Sequence, residues 1–279
     1  MKENKLREKQ KMKTILYSAI MLTCLNMLWS GHADAYSCGN PQSGHCYGTA
    51  SWSQGSEFFG AYTDITQNGL SCPSGCGGFI DDEIWLVDTS SPNCTSNQFG
   101  MCWVEAGSIA TEGSNSVYFW ADGRPGTGNT LNVHYMGATD PVGTVDHYMI
   151  VKDGRVSPNT YLVFIYNDSQ STLYNGTSSV AGTGGCGSAL PQMVGKRIDI
   201  GQELAGSPSD PKNNASAGLA HFTRNIWAVQ ALDAAYVFWY NAQSSTGSVR
   251  SDNPPTASWA QNPGAPGAPE GGDFTTRTP

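Results

Sequence analysis

The chain has 279 residues, with 33 Gly, eight Cys and a formal net charge of −8. Twenty-three acidic side chains against fifteen basic ones disfavour nucleic acid as a partner, because that binding rests on basic surface.

The first thirteen residues, MKENKLREKQKMK, are strongly basic. An apolar run, TILYSAIMLTCLNMLW, follows, and Ala33-Asp34-Ala35 then has the small-x-small form of a signal-peptidase site. The pattern predicts a secretory signal over residues 1–35, cleaved before Tyr36, and a secreted, extracellular product. A membrane anchor is the weaker reading, since the apolar run is short and carries Asn26. A lipidated Cys24 is weaker again, with Thr23 before it. No later stretch is long and apolar enough to span a bilayer, so no membrane association is expected after cleavage.

Without residues 1–35 the chain keeps nine Lys and Arg against twenty Asp and Glu, a net of −11. Seven cysteines remain: Cys38, Cys46, Cys72, Cys76, Cys94, Cys102 and Cys186. In an exported chain they read as a disulfide framework. Cys94–Cys102 flank a short polar loop and form the best local pair, with Cys38–Cys46 next. Seven is odd, so one thiol is left over or pairs outside the chain. The Cys72-x3-Cys76 spacing is compatible with zinc, but no second close Cys or His pair accompanies it. No metal and no cofactor are expected.

In chain order, short alternating or β-branched runs recur at 83–88, 102–107, 116–122, 131–136, 146–153, 160–168, 196–204, 226–232 and 236–242. The turn pairs Asn68-Gly69, Asp122-Gly123, Asp153-Gly154 and Asn175-Gly176 lie between or at the ends of such runs. Many short strands with regular turn signals predict an all-β fold: a disulfide-containing antiparallel β-sandwich of the lectin-like jelly-roll kind. The stretch NASAGLAHFTRNIWAVQALDAA has some helical character, and its Trp and β-branched residues leave it ambiguous. One domain is expected over 36–245, and a Pro/Gly-rich disordered tail over 246–279. Asn-x-Ser/Thr sequons stand at Asn93, Asn167, Asn175 and Asn214.

One residue in the run CWVEAG is out of place. Glu is a poor strand-interior residue, yet Glu105 stands between Val104 and Ala106. Side chains alternate along a strand, so Trp103, Glu105 and Gly107 share a face, opposite Val104 and Ala106. In the next run Tyr118, Trp120 and Asp122 share a face. In RIDIGQEL, Asp199, Gly201 and Glu203 do so. If those three faces line one side of a curved sheet, they make an aromatic groove edged by acids, suited to an extended peptide or glycan. Glu112 lies in a turn and Glu270 in the tail. Glu57 and Glu83 flank hydrophobic stretches without a clear role. An exposed strand face or a buried hydrogen bond is the bland alternative for Glu105. No Gly-x-Ser-x-Gly elbow, Cys–His arrangement or phosphate loop appears.

The unit VEAG, a turn, then YFWADG resembles the neprosin-type glutamic peptidases, which carry a Glu-Ala-Gly strand followed by an aromatic strand ending in an Ala-Asp-Gly-like turn. IGQELAG places Glu203 98 residues after Glu105, where that family has its second catalytic Glu. KDGRVSPNTYLVFIY resembles the Lys-Asp-turn-aromatic strand between them. The layout is also similar to the fungal-type glutamic peptidases, in which a Gln stands at the position of Glu105. The likeness spans about residues 79–245. Ser108 departs from the pattern, where a Trp usually follows Glu-Ala-Gly, and Tyr161 and Phe164 stand in place of a paired-Trp strand.

The resemblance implies an acid endopeptidase with a Glu105–Glu203 dyad, and the secreted product is expected to be a monomer. Its cleft would be floored by Trp103, Tyr118 and Trp120 beside Asp122, and its partner would be an extended polypeptide. Two close carboxyls do not both ionise easily, so one would act as base on water and the other as acid. Two further readings stay open. One is a glycan-active hydrolase, since DDEIWLVD resembles a glucanase-type strand and paired acids fit glycoside hydrolysis. The other is a carbohydrate-binding sandwich without chemistry.

Overall fold

The computed structural model describes residues 44–95, 100–123, 131–155, 160–167, 172–178, 193–206, 215–232, 237–252, 254–260 and 272–278. The predicted signal segment, Cys38, Cys186 and Asn214 lie outside them. The strands in chain order are β1 (His45–Ser53), β2 (Gly60–Thr66), β3 (Phe79–Asp88), β4 (Cys102–Thr111), β5 (Val117–Gly123), β6 (Leu131–Ala138), β7 (Val145–Asp153), β8 (Thr160–Asn167), β9 (Thr172–Ser178), β10 (Arg197–Ala205), β11 (Ala220–Ala228), β12 (Trp239–Asn241), β13 (Ser248–Ser251), β14 (Thr256–Trp259) and β15 (Phe274–Arg277). Among the described residues the strands form two antiparallel sheets. One runs β13-β1-β10-β3-β4-β5-β6 and the other β14-β15-β11-β2-β7-β8-β9, with β12 beside β11. This is the expected β-sandwich. No helix among the described residues is long and apolar enough to cross a membrane.

Strict alternation builds the core between the sheets. Ile84 and Leu86 of β3, Val104 and Ala106 of β4, and Ile198 and Ile200 of β10 point inward from the first sheet. Ile65, Tyr148, Ile150, Val163, Ile165 and Phe222 meet them from the second. Burying each Ile or Leu is worth about 1.5–3 kcal/mol. With that face committed to the core, the residues between them face outward on the first sheet.

Two disulfides close within the described residues, Cys94–Cys102 as expected and Cys72–Cys76. The latter removes the thiolates that the zinc spacing would have needed. Cys46 is also disulfide-bonded.

One open reading is decided and two expectations need correction. The ambiguous stretch after Asn214 contains a strand, β11, which bulges between Thr223 and Ile226, where Arg224 takes a φ of 52°. Asp122-Gly123 and Asn175-Gly176 lie inside β5 and β9 and make no turn. The segment from 246 onward, expected to be disordered, contributes β13, β14 and β15. Its Pro and Gly content hides strands of only four residues, whose apolar members still alternate. Val249 packs on the core, and Ala257 and Phe274 are buried. Phe274 lies parallel on Phe222 with ring centroids 4.7 Å apart, and Trp259 meets its edge at 6.2 Å. Phe274→Ala is therefore expected to cost about 3–5 kcal/mol, read as a lowered thermal midpoint. A dangling tail would show no change.

Candidate active site

The outward face of the first sheet is a set of cross-strand rows fixed by register. One row is Tyr47, Glu203, Asp81 and Ile109. The next is Thr49, Gly201, Glu83, Gly107 and Phe119. The third is Ser51, Asp199, Trp85, Glu105 and Ala121. In the middle row Glu83 has a glycine on either side, Gly201 and Gly107, so on these three strands its own side chain is the only one between the flanking rows, and a trench opens at the Gly201 end. At Gly107 an added Cβ would collide with the backbone of Asp82 and with Cβ of Glu83. Glu203 and Asp81 edge the trench on one side, and Glu105 and Trp85 on the other.

The four carboxylates are all buried, at 3% exposure for Asp81, Glu83 and Glu203 and 8% for Glu105. One carboxylate oxygen each from Asp81, Glu83 and Glu203 lie within 4.8 Å of one another. Among the described residues, Glu203 alone of the four has an ion-pair partner: His45 Nδ1 contacts its Oε1. Burial works against the charged imidazolium, but the Glu203 hydrogen bond and charge outweigh it, and the His45 pKa stands above its ordinary value. Burial pushes the Glu105 carboxyl well up, and the charge of Glu203 adds to it against an opposing pull from Trp103. Glu83 is raised by burial and then by Asp81, Glu105 and Glu203. Asp81 is raised by burial and then by Glu203 and Glu105. Carboxyls that hold their protons more tightly than usual and a basic partner thus share one cluster, an arrangement suited to proton transfer.

A groove of about 560 Å³ leads to this cluster, lined by Tyr47, Thr49, Ser51, Trp85, Arg197 and Arg250 among others, and Glu83 is the one of the four acids on its wall. Asp199 there accepts from Ser51 Oγ (2.6 Å) and Arg197 Nε (2.7 Å). The Arg250 guanidinium lies 4.4 Å over the Tyr47 ring. Trp85 stacks beside Trp103 with centroids 6.3 Å apart, and Tyr47 meets Trp85 edge-on at 5.8 Å.

Of the residues expected from sequence, Trp103, Glu105 and Glu203 share this face. Tyr118, Trp120 and Asp122 do not. Pairing of Glu105 with Ala121 puts Phe119 and Ala121 on the outward face and turns the other three inward. Tyr118 and Trp120 belong to the inter-sheet core, where Tyr118 Oη donates to Asp146 Oδ2 at 2.7 Å. Asp122 accepts from Asn132 at 2.8 Å. His134 stacks on Trp120 at 4.0 Å. Asp81, Glu83, Trp85 and His45 were missed as site residues. The alternation Asp81-x-Glu83-x-Trp85 carried the signal, because three polar or aromatic residues at period two in a strand mark one wet or functional face.

Gly123 explains how Trp103 is held. The indole lies over it, and an added Cβ would run into the ring. Gly123→Val is expected to displace Trp103 from Trp85. The check is tryptophan near-UV circular dichroism, with an altered signal expected at an unchanged β-sheet far-UV spectrum.

A second polar cluster sits on the other sheet. Asp64 accepts from Tyr62 Oη (2.6 Å) and Arg224 Nε (2.7 Å), and His147 Nδ1 lies 2.5 Å from its Oδ1. Each carboxylate oxygen there has a partner, so that cluster reads as structure.

No protein-family model matches the sequence, and neither does any curated protein. Among solved structures, the chain is similar to scytalido-glutamic peptidase with a transition state analog inhibitor: 11% identity, 83% of this chain and 97% of that one, TM-score 0.48. It is also similar to SCP-B, a member of the eqolisin family of peptidases in complex with the tripeptide Ala-Ile-His: 12% identity, 85% and 98% coverage, TM-score 0.43.

Proposed function

We propose that the chain is a secreted acid endopeptidase that hydrolyses peptide bonds with Glu105 and Glu203. One observation carries this: two carboxyls on opposite edges of a trench, buried and electrostatically linked, with burial and the charge of Glu203 raising the Glu105 pKa. The motif resemblance around the same two residues supports it. In this reading Glu105 carries the proton. It hydrogen-bonds the carbonyl oxygen as negative charge develops there and delivers its proton to the leaving amine. Glu203, bonded to His45, takes a proton from the attacking water. Glu83 on the trench floor adds to the field that keeps protons in the cluster. Trp85, Trp103 and Tyr47 offer flat surfaces to substrate side chains.

A glycan substrate is the second reading. It is favoured by the same aromatic surfaces and by acids separated across a trench, as inversion at a sugar carbon requires. The test incubates the purified protein from pH 2.5 to 7 with denatured protein and, separately, with β-glucan. New peptide termini at acid pH support the peptidase. New reducing ends with intact protein would overturn it.

A further inference from the structure

We propose that Asp81, Glu83 and Glu203 form a binding site for a divalent cation of the calcium type, reached through the groove. Three observations carry the site. First, one oxygen from each residue lies within 4.8 Å of the others. An ion with oxygen bonds of about 2.3–2.6 Å reaches ligands up to about 5 Å apart, so one calcium can touch all three.

Second, Asp81 Oδ1 and Glu83 Oε2 are buried and have no hydrogen-bond partner among the described residues. Their side chains are more than nine-tenths buried. Leaving a buried acceptor unsatisfied is costly, and both oxygens are carried by residues of the triad. Asp82 and Asp146, buried elsewhere, differ in that side chains satisfy one oxygen of each, although Asp82 Oδ2 and Asp146 Oδ1 also lack a partner among the described residues. Asp82 Oδ1 accepts from Gln202 (2.8 Å), and Asp146 Oδ2 accepts from Gln67 (2.7 Å) and Tyr118 (2.7 Å).

Third, the strand register builds the triad. Glu203 is the direct cross-strand neighbour of Asp81, and Glu83 is the next outward residue along β3. The three ligands therefore sit on two paired strands, whose spacing the ladder holds. The donor set is all carboxylate oxygen, which favours hard cations over zinc or copper. Glu83 also lines the groove, so a hydrated ion has a way in, and groove water can fill the remaining positions.

The ion would take the oxygens of Glu203, the base in the proposed reaction, so it acts as an inhibitor rather than a cofactor. That second clause rests on the peptidase reading, whereas the binding does not. The probe is Tb³⁺, a calcium surrogate whose emission a tryptophan as close as Trp85 sensitises. The purified protein is titrated with Tb³⁺ near neutral pH and the ion is then displaced with Ca²⁺.

Saturable emission displaced by Ca²⁺, with Kd weakened at least tenfold in Asp81→Asn and in Glu83→Gln, is the expected result. Ca²⁺ should also raise the melting temperature of the unaltered protein, a readout that needs no variant. Emission that never saturates, or that both folded variants keep unchanged, would overturn the site. So would a melting temperature indifferent to millimolar Ca²⁺. In a parallel assay Ca²⁺ slows peptide release. Protein that binds the ion but cleaves no substrate under any condition would count against the peptidase reading and leave the site standing.

Discussion

Glu105→Gln and Glu203→Gln each lower kcat/KM on an unfolded protein substrate by about 10³-fold, the scale of losing a positioned general acid or base or an oxyanion donor. Gln keeps the size of Glu and removes a buried ionisable group, so both variants are expected to fold, which far-UV circular dichroism checks. The two should fail differently. Without Glu203 no base remains beside His45, and activity is lost at every pH. Without Glu105 the amide still donates a hydrogen bond to the carbonyl oxygen but has no proton for the leaving amine. Esters, whose leaving group needs less protonation, should be spared relative to amides in Glu105→Gln. Hydrolysis near the unaltered rate in either variant would sink the pair. Glu83→Gln should lose less, because Glu83 acts through the field of the cluster.

Stability is expected to peak in mild acid and fall as the pH rises through neutrality. Burial, reinforced by mutual repulsion, raises the carboxyls of Asp81, Glu83 and Glu105. Between their unfolded pKa values, about 4, and the raised folded ones, the native state holds more protons than the unfolded chain. Unfolding then releases protons, and stability declines with pH. His45 works in the same direction. Its folded pKa is raised, so its pairing with Glu203 contributes fully below about pH 6.5 and is lost as the pH climbs through the folded value. Asp88 works the other way. Burial opposes its charged form, but donors from Ser91, Val194 and Ser90 hold its pKa below the ordinary value, so its contribution fades only in stronger acid. Each pKa unit is worth about 1.4 kcal/mol, and three raised carboxyls make the decline large. Thermal midpoints from pH 3.5 to 8.5 check this. Glu105→Gln should melt higher than the unaltered protein at pH 7.5 and show a shallower slope. Equal slopes would mean that the cluster does not carry the effect.

The face of β4 and β10 was legible because small or apolar residues fill the inner positions around the two acids, Val104 and Ala106 in β4 and Ile198, Ile200 and Leu204 in β10, with Gln202 the one larger polar residue among them. Glu105 then had one direction left. In β5 both faces are apolar or aromatic, with Val117, Phe119 and Ala121 against Tyr118 and Trp120. Composition does not choose between them, and the pairing of Glu105 with Ala121 does. Tyr118 shows why the choice misleads. A phenol can face a core when a buried Asp146 accepts its proton, and no local pattern announces that partner 28 residues away. Asp81 and Glu83 were overlooked because Asp81-Asp82-Glu83 looks like a solvated charge run. Alternation splits it instead, sending Asp82 inward to Gln202 and the other two outward. The three last strands were hidden by the Pro and Gly around them.

The row of Gly201, Glu83 and Gly107 runs across the strands and not along them. A polymer laid along it meets β10, β3 and β4 broadside, and their backbone donors and acceptors are already spent on one another. It has no sheet edge to extend, so it gains none of the main-chain ladder bonds that strand addition supplies. Selectivity then falls to side-chain shape and charge at the rims, where Arg197, Arg250 and Asp199 stand. N-methylation of a bound peptide should cost less here than in a binder that recognises its ligand as an added strand.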